Sequence, residues 1–152
     1  MNLWVLRHGE AHNHAATDAQ RELTPRGRKE VLNSAARMLE NPPDLIIASP
    51  YVRTQQTAVL VHDALSVTKP LLKASWLTPD NDPAQVLDEL AKLDHENVLL
   101  VSHQPLVGAL ISLLEHGSVR PAQPMDPASL AELQGQLPLA GSMTLRRVHH
   151  SH

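Results

Sequence analysis

Two histidines and three arginines in this sequence stand where they could act together on a phosphoryl group. His8 follows the apolar run at 3–6 and sits between Arg7 and Gly9. His103 follows the apolar run at 98–101, one residue after Ser102. Both runs read as buried strands, and open parallel sheets bind ligands beyond the carboxyl ends of their strands. Arg21 lies in the loop after the first run, and Arg53 lies one turn past Ser49-Pro50. Three guanidiniums repel a metal cation but suit a phosphoryl dianion, because each planar fork matches phosphate oxygens. A helix opening at Ser49-Pro50 adds N-terminal amides and a favourable dipole. Phosphoryl transfer needs positioning, charge stabilisation and a group that attacks in line. The chain has no cysteine, and Ser49 and Ser102 stand where they would cap helices, which leaves histidine as the nucleophile. The attacking ring must be neutral, a state favoured by neighbouring arginines, and one of its nitrogens must be fixed as the donor.

The elements that position these residues follow from the apolar pattern. The runs at 3–6, 45–48 and 98–101 are continuous rather than alternating, as expected of strands covered on both faces. A shorter strand is expected over 70–75. Thr24-Pro25 reads as a capping hydroxyl and first-turn proline. The helix it opens has Val31, Leu32, Ala35 and Leu39 at helical spacing and stops at Asn41-Pro42-Pro43. Ser49-Pro50 opens a second helix to about residue 64. Asp82-Pro83 opens a third with Val86, Leu87, Leu90 and Leu93 on one face. The helix expected over 105–114 turns Leu106, Ala109, Leu110 and Leu113 inward. Two weaker strands are expected over 129–134 and 142–148, joined by a turn at 138–141. Strands alternating with helices predict an α/β fold, a three-layer α/β/α sandwich around a mostly parallel sheet of about five or six strands. Residues 1–148 read as one domain. Residues 149–152, with His149, His150 and His152, read as a frayed tail rather than a metal site.

Composition narrows the function classes. The 152 residues are 42% apolar but only 2% aromatic, with no Phe. The core must be aliphatic, and stacking platforms for single-stranded nucleic acid are missing. A net charge of -3 leaves no broad basic footprint, so nucleic acid is not expected as a partner. No apolar run approaches the ~20 residues of a membrane span. The segment 1–7 is too short and too soon charged for a secretory signal. With the absence of cysteine, this predicts a cytoplasmic protein.

At this point the motifs resemble those of the histidine phosphatase superfamily, the phosphoglycerate-mutase-like fold. Arg7-His8-Gly9 after an N-terminal strand resembles its signature. Residues 21–27, Arg-Glu-Leu-Thr-Pro-Arg-Gly, resemble its R-x-L-T-x-x-G segment. Residues 49–58, Ser-Pro-Tyr-Val-Arg-Thr-Gln-Gln-Thr-Ala, resemble its S-P-x-x-R-x-x-x-T-A segment. Val101-Ser102-His103 resembles its late strand-end histidine. Within the superfamily the chain is most similar to the SixA-type phosphohistidine phosphatases. Asp18 stands three residues before Arg21, Leu77-Thr78-Pro79 replaces a Glu-rich acid motif, and residues 102–108 resemble the SixA form of that turn. The short chain also leaves little room for insertions that would roof a small-molecule site.

The resemblance implies that His8 is the nucleophile and is transiently phosphorylated. Arg7, Arg21 and Arg53 bind phosphoryl oxygens, and His103 donates to them and stabilises the transition state. No metal or organic cofactor is implied. Relatives acting on phosphate esters use a Glu general acid, because an alkoxide leaves poorly. No equivalent Glu is evident here. Asp80, Asp82 and Asp18 are the candidate proton donors, although Asp82 before Pro83 also reads as a helix cap. An imidazole leaving group needs less help. The implied substrate is therefore a phosphohistidine protein such as the histidine phosphotransfer domain of a two-component relay, with the enzyme acting as a monomer. A small-molecule phosphomonoesterase or mutase, and a non-catalytic phospho-reader built on the same arginines, stay open. A metal-binding role, suggested only by ten histidines, lacks a spaced ligand set.

Overall fold

A computed structural model of the chain describes residues 1–151. Six strands form one sheet in the order β3-β2-β4-β1-β5-β6. They are β1 (Asn2–Arg7), β2 (Leu45–Ala48), β3 (Leu72–Lys73), β4 (Asn97–Ser102), β5 (Leu130–Gln134) and β6 (Thr144–His149). The first four run parallel, while β5 pairs antiparallel with β1 and β6 antiparallel with β5. Helices α1 (Pro25–Ala36) and α2 (Val52–Ala64) pack together on one face. Helices α3 (Pro83–Ala91) and α4 (Leu106–His116) pack together on the other. This is the expected three-layer α/β/α arrangement.

Alternation along the strands explains why their sequences are apolar throughout. Leu3, Val5, Val98 and Leu100 bury against α3 and α4. Trp4, Leu6, Leu99 and Val101 bury against α1 and α2. Every residue of β4 is buried. Each covered face requires apolar residues, so neither face leaves room for the polar half of an alternating pattern.

Several local expectations shift. Strand β3 is two exposed residues rather than 70–75, since Pro70 lacks an amide donor and the strand sits at the sheet edge. Helix α1 ends at Ala36, and its buried stripe is Val31, Ser34 and Ala35. Leu32 and Leu39 face outward. Helix α4 buries Leu106, Val107, Leu110, Ile111 and Leu114, with Ala109 and Leu113 half-buried. It ends on Gly117 at φ 79°, where a left-handed residue suits glycine. Asp82 caps α3, accepting from the Ala84 amide at 2.9 Å. The domain boundary expected at 148 falls inside a strand, one residue short of its end. Strand β6 runs through His149, which faces Leu130 across the ladder. His150 lies 2.9 Å from the Ser129 hydroxyl, and Ser151 donates to Glu30 at 2.6 Å and to the Pro127 carbonyl at 3.0 Å. The expectation for His152 falls outside the described residues. Among the described residues no helix is long and apolar enough to cross a membrane.

Candidate active site

Pairing of β1 with β4 sets the two histidines side by side. Arg7 faces Ser102 in the parallel register, and the His8 amide donates to the Ser102 carbonyl at 3.0 Å. The imidazoles then leave the same sheet edge with ring centroids 5.2 Å apart, edge to face at 62°. Arg53 enters from the first turn of α2, and Arg21 and Asp18 enter from the stretch around a single 3-10 turn, η1 (Asp18–Gln20).

The motif residues around His8 explain its placement. Beyond β1 the chain squeezes past α1: a Cβ on Gly9 would come within 2.8 Å of both the Gly27 carbonyl and Val31. The Gly9 amide donates to the Thr57 hydroxyl at 3.2 Å, and Thr57 donates to the Arg53 carbonyl at 2.8 Å, tying the strand exit to α2. Thr24 caps α1 by accepting from the Gly27 amide at 2.9 Å. Gly27 is needed because any side chain there would drive into the Glu10 backbone. Gly27→Ala is accordingly expected to destabilise the fold by about 1–3 kcal/mol, an overpacking cost against backbone that cannot yield. A lower urea midpoint with unchanged m-value, accompanied by loss of activity, would be the signature.

The His8 tautomer is fixed by its neighbour. Nδ1 lies 2.7 Å from the Gly9 carbonyl oxygen, which can only accept, so Nδ1 carries the proton. Nε2 keeps its lone pair and accepts from Arg53 Nε at 3.3 Å. Burial, together with the charges of Arg53, Arg7 and Arg21, pushes the His8 pKa down to about 4, against an opposing pull from the Gly9 carbonyl. The ring is therefore neutral at pH 7 and presents Nε2 as a base or nucleophile.

His103 is held differently. Its Nε2 lies 2.8 Å from the Ser49 hydroxyl, while its buried Nδ1 has no hydrogen-bond partner among the described residues. Burial first, then His8 and Arg53, push its pKa down to about 3. The Tyr51 ring meets His103 edge to face at 4.8 Å and lies under the Arg53 guanidinium at 5.0 Å. Ser49 thus serves His103 as well as accepting from the Tyr51 amide at 3.3 Å. Ser102 caps no helix; its hydroxyl donates to the Leu77 carbonyl at 2.6 Å.

Both histidines are neutral in the fold and titrate near 6.5 when unfolded, so unfolding takes up protons below that pH. Stability is full above about pH 6.5 and is expected to fall as the pH drops towards 4. Urea midpoints across that range would show it, and His103→Gln should flatten the slope by removing one of the two protons.

The arginines differ in what they already hold. Arg7 donates through Nη1 to the Met125 carbonyl at 2.9 Å, and its buried Nε has no partner among the described residues. Arg53 is buried, and Arg21 is partly exposed. Asp18 bridges these last two, accepting from Arg21 Nη1 at 2.9 Å and from Arg53 Nη2 at 3.2 Å. Hydrogen bonding from Arg21 and Arg53 holds its carboxyl below the usual carboxylate range. Asp80 is exposed in the loop before α3, where it lines a shallow hollow with Pro79, Pro105 and Leu106. No hydrogen bond or ion pair joins Asp80 to the cluster among the described residues. The structure thus brings His8, His103, Arg7, Arg21, Arg53 and Asp18 together and leaves Asp80 and Asp82 outside. Ser49, Tyr51 and Thr57 join the site without having been singled out for it. Their signal was their place inside the 49–58 segment.

Comparison with known proteins identifies the family. Residues 3–74 match the model of the histidine phosphatase superfamily, branch 1. The chain is 34% identical to the phosphohistidine phosphatase SixA homolog of Haemophilus influenzae over 145 residues, covering 88% of this chain and 87% of that protein. The chain belongs to the histidine phosphatase superfamily. It is also 33% identical to the phosphohistidine phosphatase SixA of Escherichia coli K12 over 126 residues, covering 80% of this chain and 78% of that one. A solved structure of the protein histidine phosphatase SixA complexed with tungstate superposes with a TM-score of 0.88 at 29% identity, covering 99% and 97% of the two chains. In this histidine phosphatase the matched segment ends before β4, so His103 comes from outside it and joins His8 through strand pairing.

Proposed function

We propose that this chain is a phosphohistidine phosphatase that removes the phosphoryl group from a phosphohistidine protein, the histidine phosphotransfer domain of a two-component relay, acting as a cytoplasmic monomer without metal or cofactor. The observation that carries the reading is the pinned His8 ring. A neutral imidazole with Nδ1–H on a carbonyl and Nε2 facing an arginine is prepared for in-line attack.

In the first step Nε2 of His8 bonds to phosphorus as the phosphorus–nitrogen bond of the substrate breaks. The substrate imidazole leaves neutral, keeping the proton on its other nitrogen. Arg7, Arg21 and Arg53 hold the three phosphoryl oxygens, and His103, in the tautomer whose Nε2 accepts from the Ser49 hydroxyl, donates to one of them through Nδ1. In the second step water bonds to phosphorus, the bond to Nε2 breaks, and both water protons leave with the product as dihydrogen phosphate. His8 returns to its starting tautomer. Nucleophile and leaving group are the same chemical group, so neither direction needs a strong acid. That fits the carboxyl nearest to the reaction, Asp18, being held ionised.

Phosphate release is measured from a phosphorylated histidine phosphotransfer domain, from 3-phosphoglycerate and from an aryl phosphate, with EDTA present. Preferential release from the phosphoprotein is expected. Turnover of the esters alone would overturn the substrate assignment and favour a small-molecule phosphomonoesterase.

A further inference from the structure

We infer that Asp18 is a tethered competitor for phosphate: its carboxylate occupies the donors of Arg21 and Arg53 and re-enters them to speed release of the product. This rests on the reading of the cleft as a phosphoryl site. Arg53 turns Nε to His8 and commits both terminal nitrogens to one residue, Nη1 to the Asp18 carbonyl at 2.7 Å and Nη2 to its Oδ2 at 3.2 Å. Arg21 commits Nη1 to Oδ1 at 2.9 Å and Nε to the His12 carbonyl at 2.7 Å. One carboxylate therefore spans two of the three guanidiniums, with one oxygen on each. A phosphoryl group that uses these nitrogens has to exchange with it.

Asp18 is built to make that exchange. Its side chain is 59% exposed, whereas that of Arg53 is 6% exposed. It stands on a single 3-10 turn that buries no residue, and Thr17 before it makes no side-chain capping bond. The carboxylate can swing into water without moving any packed group, while Arg53 stays anchored under it. The two arginines also keep Asp18 ionised, so it competes with phosphate as an anion. Hydrolysis leaves phosphate against three guanidiniums, an arrangement that retains product. A carboxylate on the same chain returns at high effective concentration and shortens that residence.

Inorganic phosphate is titrated into wild type, Asp18→Ala, Asp18→Asn and Arg53→Ala, and its inhibition of turnover is measured for the first three. Phosphate is expected to bind Asp18→Ala at least fivefold more tightly than wild type. Its inhibition constant and KM should fall by a similar factor, while kcat does not rise. Asp18→Asn keeps an acceptor between the arginines without the charge, so tightening in either variant supports the inference. Equal or weaker binding in both overturns it, and a large drop in kcat with unchanged phosphate affinity would make Asp18 a proton donor instead. Arg53→Ala distinguishes the underlying reading. A loss of at least tenfold in phosphate affinity keeps the cleft as a phosphoryl site, whereas no loss overturns that reading itself.

Discussion

His8→Ala is expected to lower phosphate release from a phosphohistidine protein by about 10⁴-fold or more, because removal of a nucleophile ends the covalent route rather than weakening it. The partner test is chemical trapping. Wild type quenched during turnover should carry phosphate labile to acid and stable to base, as a phosphorus–nitrogen bond is, and His8→Ala should carry none. Binding of inorganic phosphate should survive the substitution, since Arg21 and Arg53 approach from other elements and Arg7 is anchored on the Met125 carbonyl. That combination separates an enzyme from a phospho-reader, which would keep its affinity and have no turnover to lose. Release that persists in His8→Ala would refute the mechanism.

Arg53→Ala is expected to have the next largest effect, a loss of about 10²–10³ in kcat/KM. The guanidinium touches His8 Nε2, spans Asp18 and lies over Tyr51, so one side chain orients the nucleophile and supplies charge to the phosphoryl group. Arg53→Lys should restore little, because an ammonium cannot reach His8 and a phosphoryl oxygen in one plane. Arg53→Ala should also raise the His8 pKa by removing a nearby positive charge, a shift readable by NMR titration of the ring. Loss of activity without that shift would mean that Arg53 contacts phosphate alone.

The central strands and the site at their ends were legible in the sequence for a simple reason. A strand buried on both faces is written as an unbroken apolar run, and the first charged or imidazole side chain after it must lie at the sheet edge. That logic located Arg7, His8 and His103. Arg53 was legible from Ser49-Pro50, which announces a helix, although α2 starts only at Val52 with Tyr51 rather than Ser49 at its cap. The misreadings share a cause as well. Leu32 and Leu39 have the spacing of an inward stripe, yet α1 turns its smaller residues to the sheet because Gly27 has to lie against Glu10. The pairing of Ser49 with His103 and of Asp18 with two arginines joins separate elements, and no local pattern records it. His149 looked like part of a loose end because strand β6 is exposed or half-buried throughout and mostly polar, and only its ladder with β5 makes it a strand.

The order of strands in the sheet differs from their order of synthesis. β1 lies between β4 and β5, so Asn2 faces Asn97 and Leu6 faces Leu130. Nothing in the segment that carries the family signature can pair with β1, since β4 separates it from β2. A growing chain thus carries His8 well before β4 and completes the surroundings of that residue only after residue 130 has emerged. Before β4 emerges β1 is an apolar strand with two open edges, and it keeps one until β5 follows, the kind of segment that favours aggregation. Arg7, Arg21 and Arg53 precede β4 in the chain, whereas His103 and the enclosure that β4 and β5 bring to His8 follow it, so an incomplete chain carries the charges of the site before its walls.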